Sequence, residues 1–174
     1  ETEQKLCKLL EKYSPTDEVM RVLYLKEIQN LEIYGYGIKG FTLSMLETGL
    51  EVSNKQITAG EIEQIILLGK EQLTHPVELI DGVKDTLREL SRHYHLAMAT
   101  KGDLMDQERK LKLSGLSDFF CHIEIMSDKT DAAYRKLLKD LNTTPEKIMM
   151  VGNSMKSDIL PILKMGGYAV HIPF

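Results

Sequence analysis

A chain of 174 residues with a formal net charge of −4, 43% hydrophobic and 28% charged residues, has the balance of a globular protein: one domain, or a core with a smaller insert. The charge leaves no basic footprint for nucleic acid, and no apolar run is long enough to cross a bilayer or to serve as a signal peptide. Cys7 and Cys121 fit no Cys-x-x-Cys pattern and read as reduced thiols in a cytoplasmic protein, and the five histidines have no zinc spacing.

The first 75 residues or so carry only helical signals. Glu1 to Lys12 reads as helix interior. Ser14-Pro15-Thr16-Asp17 predicts an N-cap at Ser14, a proline at the first helical position and an acid in the first turn. That helix carries Val19, Val22 and Leu23 and runs to Ile33. Gly35, Gly37 and Gly40 break the pattern around Tyr36 and Lys39, and a second helix follows with Phe41, Met45 and Leu46 on one face. Thr58-Ala59-Gly60-Glu61 is a capping box opening a helix through Ile62, Ile65, Ile66 and Leu68, and His75-Pro76 closes the region.

From residue 76 to 174 the pattern changes. Asp81 is expected to cap a helix bearing Val83, Leu87 and Leu90. His95 to Thr100 reads as a short apolar strand. Asp103 caps a helix that stops near Ser114-Gly115. Cys121 to Met126 is a strand, and Thr130 caps a helix carrying Tyr134, Leu137, Leu138 and Leu141. Ile148 to Val151 is a strand, Asp158 to Met165 a helix, and Tyr168 to Ile172 a strand. Apolar strands alternating with helices imply an α/β module with a parallel sheet covered on both faces. The expected organisation is therefore a helical module over 1–75 and an α/β module over 76–174.

In such sheets functional residues gather at the carboxyl ends of the strands. One strand ends in Thr100-Lys101-Gly102-Asp103, the next in Ser127-Asp128-Lys129-Thr130. The third enters Gly152-Asn153-Ser154 and reaches Asp158 a turn later. A hydroxyl, a cation, loop amides and a carboxylate are the parts that hold a phosphoryl group and a magnesium ion. Each residue also has a plainer reading. Lys129 is a solvated lysine, Thr100 a strand end, Asp158 a charge favouring a helix start, and Asp103 an N-cap. Tyr36 and Lys39 either select substrate or belong to an interhelical loop.

Read together, these segments resemble the haloacid dehalogenase-like hydrolases over nearly the whole chain. Leu96 to Thr100 resembles the family's second motif, Lys129 its third-motif lysine, and Gly152-Asn153-Ser154-x-x-Ser157-Asp158 its fourth motif. The helical part is similar to the cap that many members insert between the first and second motifs. The resemblance implies a doubly wound parallel α/β core with an all-α cap. It also implies a Mg²⁺-dependent phosphatase acting on a small phosphorylated metabolite through an aspartyl-phosphate. Carried onto this chain, Thr100, Lys101, Gly102, Lys129 and Asn153 would bind the phosphate. Thr100 and Lys129 would act in catalysis, Asp158 and Asn153 would hold the metal, and Tyr36 and Lys39 would shape cap specificity.

Two departures accompany the resemblance. No Asp-x-Asp, the family's first motif, occurs in the sequence, so the resemblance implies that the natural protein carries it upstream of Glu1 on a further core strand. Asn153 stands where the fourth motif usually has an acid, and it brings an oxygen without a charge. That keeps two alternatives open: a metal-free carbon–halogen hydrolase, and a non-catalytic protein that retains the phosphate pocket.

Overall fold

Four amphipathic helices bring their apolar stripes to one centre: α1 (Thr2–Leu10), α2 (Thr16–Tyr34), α3 (Ile38–Val52) and α4 (Ala59–Thr74). Leu6 and Leu10, then Val19 and Leu23, are spaced four apart and so share a helix face. With Met45 and Ile65 they are almost wholly buried in one cluster. Full burial of such a side chain contributes about 1.5–3 kcal/mol. Helices α2 and α3 meet over small and polar residues. Asn30 Nδ2 donates to Ser44 Oγ at 3.0 Å, Ser44 Oγ donates to the Gly40 carbonyl at 3.0 Å, and Thr48 Oγ1 donates to the Ser44 carbonyl at 2.8 Å. These buried polar atoms are therefore hydrogen-bonded, as burial requires.

The capping box that opens α4 is present on both sides. The Glu61 amide donates to Thr58 Oγ1 at 3.3 Å, and the Thr58 amide donates to Glu61 Oε2 at 2.9 Å. Two other predicted caps differ. Helix α2 starts at Thr16 with Pro15 in the cap position at ψ 151° and no side-chain cap bond. Asp17 and Glu18 in its first turn meet the helix dipole instead. Helix α5 (Val83–Leu90) is preceded by Gly82 at φ 81° rather than capped by Asp81. Glycine enters that left-handed conformation without a Cβ penalty, and the turn it makes takes over the cap position.

The computed structural model describes residues 1–173, and they group into two units. One comprises Glu1–Leu79 with Gly102–Gly115, the other Ile80–Lys101 with the chain from Leu116 onward. Helix α6 (Leu104–Ser114) thus counts with the helical unit. Asp103 caps it, accepting from the Asp106 amide at 3.1 Å, and Lys39 Nζ lies 2.9 Å from Asp103 Oδ2.

The second unit is α/β. Strand β1 (Ala97–Lys101) pairs in parallel with β2 (His122–Met126), Thr100 opposite Ile125 and Lys101 opposite Met126. Strand β3 (Met149–Gly152) pairs in parallel with β4 (Tyr168–His171), Gly152 opposite His171. Among the described residues the parallel sheet is thus two ladders rather than one. Both rest on one core of Met126, Tyr134, Leu137 and Ile162, with Ala99 of β1 and Met150 of β3 packed against it. Tyr134 and Leu137 come from α7 (Asp131–Asp140), which Thr130 caps by accepting from the Ala133 amide at 3.2 Å. Ile162 comes from the short α8 (Leu160–Lys164).

The predicted helix from Asp158 to Met165 is split. Met155–Ile159 forms a π-turn, and α8 takes over only at Leu160. The Ile159 amide reaches the Ser154 carbonyl at 3.2 Å and the Leu160 amide reaches Met155, both five residues back. Pro161 explains part of this. It has no N–H to give the Ser157 carbonyl four residues earlier, so regular helix cannot pass through that position intact. No helix among the described residues is long and apolar enough to cross a membrane.

Candidate functional site

Three loops of the α/β unit leave strands at their carboxyl ends, and two of them meet through a buried ion pair. Lys129 stands three residues after the end of β2, its amide donating to Asp128 Oδ1 at 2.9 Å. Its Nζ lies 2.7 Å from Asp158 Oδ1, and the two side chains are 13% and 6% exposed. The other carboxylate oxygen, Oδ2, accepts from the Ser154 amide at 3.0 Å. Burial works against the charge on Asp158. The Lys129 ammonium and the Ser154 and Asn153 amides outweigh it and hold the carboxyl below its ordinary value.

Gly152 makes this arrangement possible. A Cβ there would stand 2.5 Å from Asp158 Oδ2 and 2.6 Å from its Cβ, so the carboxylate occupies the space that any other residue would fill. Ser154 caps the π-turn, its Oγ accepting from the Ser157 amide at 3.1 Å. Asn153 sits between them, and its backbone carbonyl accepts from His171 Nε2 at 3.0 Å. Tyr134 Oη donates to the Ser157 carbonyl at 2.9 Å, supplying a donor where Pro161 has none. Burial among core side chains raises the Tyr134 phenol above its usual range, and the Asp158 charge adds to that.

The structure thus joins Lys129 to Asp158 and sets Asn153 beside them. Thr100 and Lys101 end β1, and Lys101 Nζ lies 3.7 Å from Oδ1 of Asp128, the residue before Lys129. Gly102, at φ 148°, has the side chain of Gln107 against the space a Cβ would take. Tyr36 and Lys39 belong to the helical unit. Tyr36 is exposed, and Lys39 is held by Asp103. The roles of Gly152, Ser154, Tyr134 and His171 escaped the sequence reading. One signal was available, since Pro161 four residues after Ser157 marks a carbonyl without a helical donor.

Among the described residues no three His, Cys, Asp or Glu side chains group as a metal cluster. The oxygen donors of this loop are Asn153, neutral, and Asp158, anionic and already bonded through both oxygens. They are hard ligands of the kind Mg²⁺ accepts, with one charge between them.

The comparison with protein families settles the fold's kinship. The profile of the haloacid dehalogenase-like hydrolases matches residues 6–166. The chain belongs to that family. A haloacid dehalogenase-like family hydrolase from Xanthomonas campestris is 38% identical. It superposes with a TM-score of 0.93 over 99% of this chain and 73% of its own. The glyceraldehyde 3-phosphate phosphatase of Pyrococcus furiosus is 29% identical over 122 residues, 67% of this chain and 49% of its own length. The chain therefore spans about half of that curated relative. A 2-haloacid dehalogenase from Pseudomonas syringae pv. Tomato shares the fold at 15% identity and a TM-score of 0.67, over 98% of this chain and 76% of its own. The family fold thus hosts both phosphate and halide chemistry, and function must be argued from the site.

Proposed function

We propose that this hydrolase is a phosphatase for small phosphorylated metabolites, working through an aspartyl-phosphate with Mg²⁺. The observation that carries the reading is the buried Lys129–Asp158 pair at the strand ends. A cation held there by a carboxylate is aimed where the anionic phosphoryl group and its nucleophile would meet. At an effective dielectric near 20, two unit charges 4 Å apart interact by about 4 kcal/mol. A lysine already fixed by Asp158 provides that attraction without reorganising during reaction.

In this reading Thr100 donates its hydroxyl to a phosphoryl oxygen, and the amides of Lys101 and Gly102 bind beside it. Lys129 neutralises the phosphoryl oxygens. The attacking carboxylate is the aspartate of the family's first motif, which this sequence does not contain. Its oxygen bonds to phosphorus as the phosphorus–ester oxygen bond breaks, and a neighbouring acid gives the leaving oxygen its proton. Water then attacks phosphorus and releases inorganic phosphate, returning the carboxylate. When bound at Asn153 and Asp158, Mg²⁺ would supply further charge neutralisation. Tyr36 and Lys39 are proposed to read the rest of the substrate, and a cytoplasmic location accompanies this reading.

The uncharged Asn153, and an Asp158 whose charge is already paired with Lys129, favour a second reading, hydrolysis of a carbon–halogen bond without metal. The test uses protein expressed from the whole reading frame. Release of p-nitrophenol from p-nitrophenyl phosphate that depends on Mg²⁺ supports the phosphatase. Chloride release from 2-chloropropionate without metal would replace it with the dehalogenase. Phosphate binding with neither turnover would make the protein a binding homologue.

A further inference from the structure

The bonds inside the Asn153–Asp158 turn fix the turn to itself. Asp158 Oδ2 takes the Ser154 amide at 3.0 Å, Ser154 Oγ takes the Ser157 amide at 3.1 Å, and the Ser154 carbonyl takes the Asp158 amide at 2.8 Å. None of these sets where the turn stands relative to Lys129. Two side chains from outside the turn do so.

Tyr134 is 1% exposed, sits in the core with Leu137 and Ile162, and gives its hydroxyl proton to the Ser157 carbonyl at 2.9 Å. It lies one turn into α7, the helix that begins at Asp131, two residues after Lys129. One rigid helix therefore anchors both the chain leaving Lys129 and the residue before Asp158. At the other end His171 pairs with Gly152 in the β3–β4 ladder, and the Ile172 amide reaches the Gly152 carbonyl at 2.9 Å. The imidazole then spans to the Asn153 carbonyl at 3.0 Å. A carbonyl only accepts, so the ring nitrogen donates. What His171 fixes is thus the peptide plane that follows Asn153.

We propose that Tyr134 and His171 are positioning residues that clamp the two ends of the Asn153–Asp158 turn and so hold Asp158 in register with Lys129. The proposal deepens the phosphatase reading and rests on it for its effect on turnover, while its structural half stands separately. The physical reason is the steep cost of misplacement: a shift of about 1 Å in a positioned group lowers turnover by about a hundredfold. A π-turn has fewer regular bonds than a helix to resist such a shift.

The experiment compares Tyr134→Phe, His171→Ala and His171→Gln with Leu137→Ala in protein from the whole reading frame. Leu137 lies in the same core, and its aliphatic side chain has no hydrogen bond to give the turn, so it reports loss of stability. The readouts are kcat and KM for p-nitrophenyl phosphate, the Tm, and the NMR amide proton shift of Ser154, whose N–H bonds to Asp158. Tyr134→Phe is expected to lower kcat about tenfold with KM within about twofold, and to move the Ser154 amide. His171→Ala should do the same, and His171→Gln, which keeps a side-chain donor, should recover part of both. Leu137→Ala should lower Tm without moving either. Clamp variants that lower Tm while leaving kcat and the Ser154 amide in place would overturn the proposal, as would an amide that moves with kcat unchanged. If the unmutated protein hydrolyses no phosphate ester, the phosphatase reading fails and the amide alone decides the clamp. If Tyr134→Phe does not fold, the two His171 variants decide it.

Discussion

In the helical unit, the buried polar side chains of α2 and α3 answer to nearby backbone or to each other: Asn30 to Ser44, Ser44 to Gly40, Thr48 to Ser44. In the α/β unit, the buried carboxylate of Asp158 bonds to a lysine 29 residues away. The first set is neutral and lets two helices approach. The second is charged, is held at a strand end, and has a desolvation cost that well-packed apolar residues would avoid. The helical unit buries carboxylates too, at Glu61 and Asp106, so what sets Asp158 apart is its place among the strand-end loops, paired with Lys129.

The largest expected effect comes from breaking the charged pair. Lys129→Ala should cost about 3 kcal/mol in unfolding free energy by leaving Asp158 buried and unpaired. Phosphate ester hydrolysis should fall by more than about a hundredfold. Replacing both partners, Lys129→Met with Asp158→Leu, should recover stability and leave activity lost. Equal stability losses in single and double variants, by chemical denaturation, would show that the pair does not differ from ordinary core.

The matching cut in the helical unit is Leu10→Ala, at a fully buried position. It should cost about 2–5 kcal/mol with little change in kcat on p-nitrophenyl phosphate. A large fall in kcat would erase the division between a structural unit and a chemical one.

A third test is acid. Glu61 is lowered from 4.5 to about 2, first by Lys12, then by the Thr58 amide and hydroxyl. A carboxyl depressed by folding contributes stability that is full above its unfolded value and is lost as pH falls through the folded one. For Glu61 that window runs from 4.5 down to about 2. Thermal denaturation across it should show a falling Tm that Glu61→Gln flattens. Asp158 is also lowered and acts in the same direction, so Asp158→Asn should flatten the acid limb of the α/β unit.

The smallest effect is expected at Lys39. Its pair with Asp103 is 60% and 27% exposed, so Lys39→Ala should cost under about 1 kcal/mol. Asp103→Ala should cost about 1 kcal/mol because the N-cap of α6 goes with it. If Lys39→Ala changes KM for charged substrates at unchanged Tm, the proposed part of Lys39 in specificity is strengthened.

The caps at Thr58, Asp103 and Thr130 were legible because an N-cap is a contact between residues three apart. The four strands stand within a residue or two of their predicted bounds, since apolar runs between turn signals define them locally. Ser14 and Asp81 misled because backbone angles at Pro15 and Gly82 decided those caps, and residue type alone does not report them. The helix drawn from Asp158 failed for a similar reason. Periodicity registers apolar faces, and a π-turn preserves the face while changing the bonds.

Sequence by itself determined the helical and α/β character of the two regions, the order of their elements and the polar strand ends where Lys129, Asn153 and Asp158 stand. These follow from patterns within a few residues of each other, where local geometry leaves few choices. Tertiary structure decided that Lys129 closes on Asp158, that Gly152 makes room for the carboxylate, and that Tyr134 and His171 hold the turn. The hydrogen bonds among them join residues 18 to 29 apart in the chain. They exist because β3, β4 and α7 pack in one arrangement, and no local pattern encodes which side chains that packing brings within 3 Å.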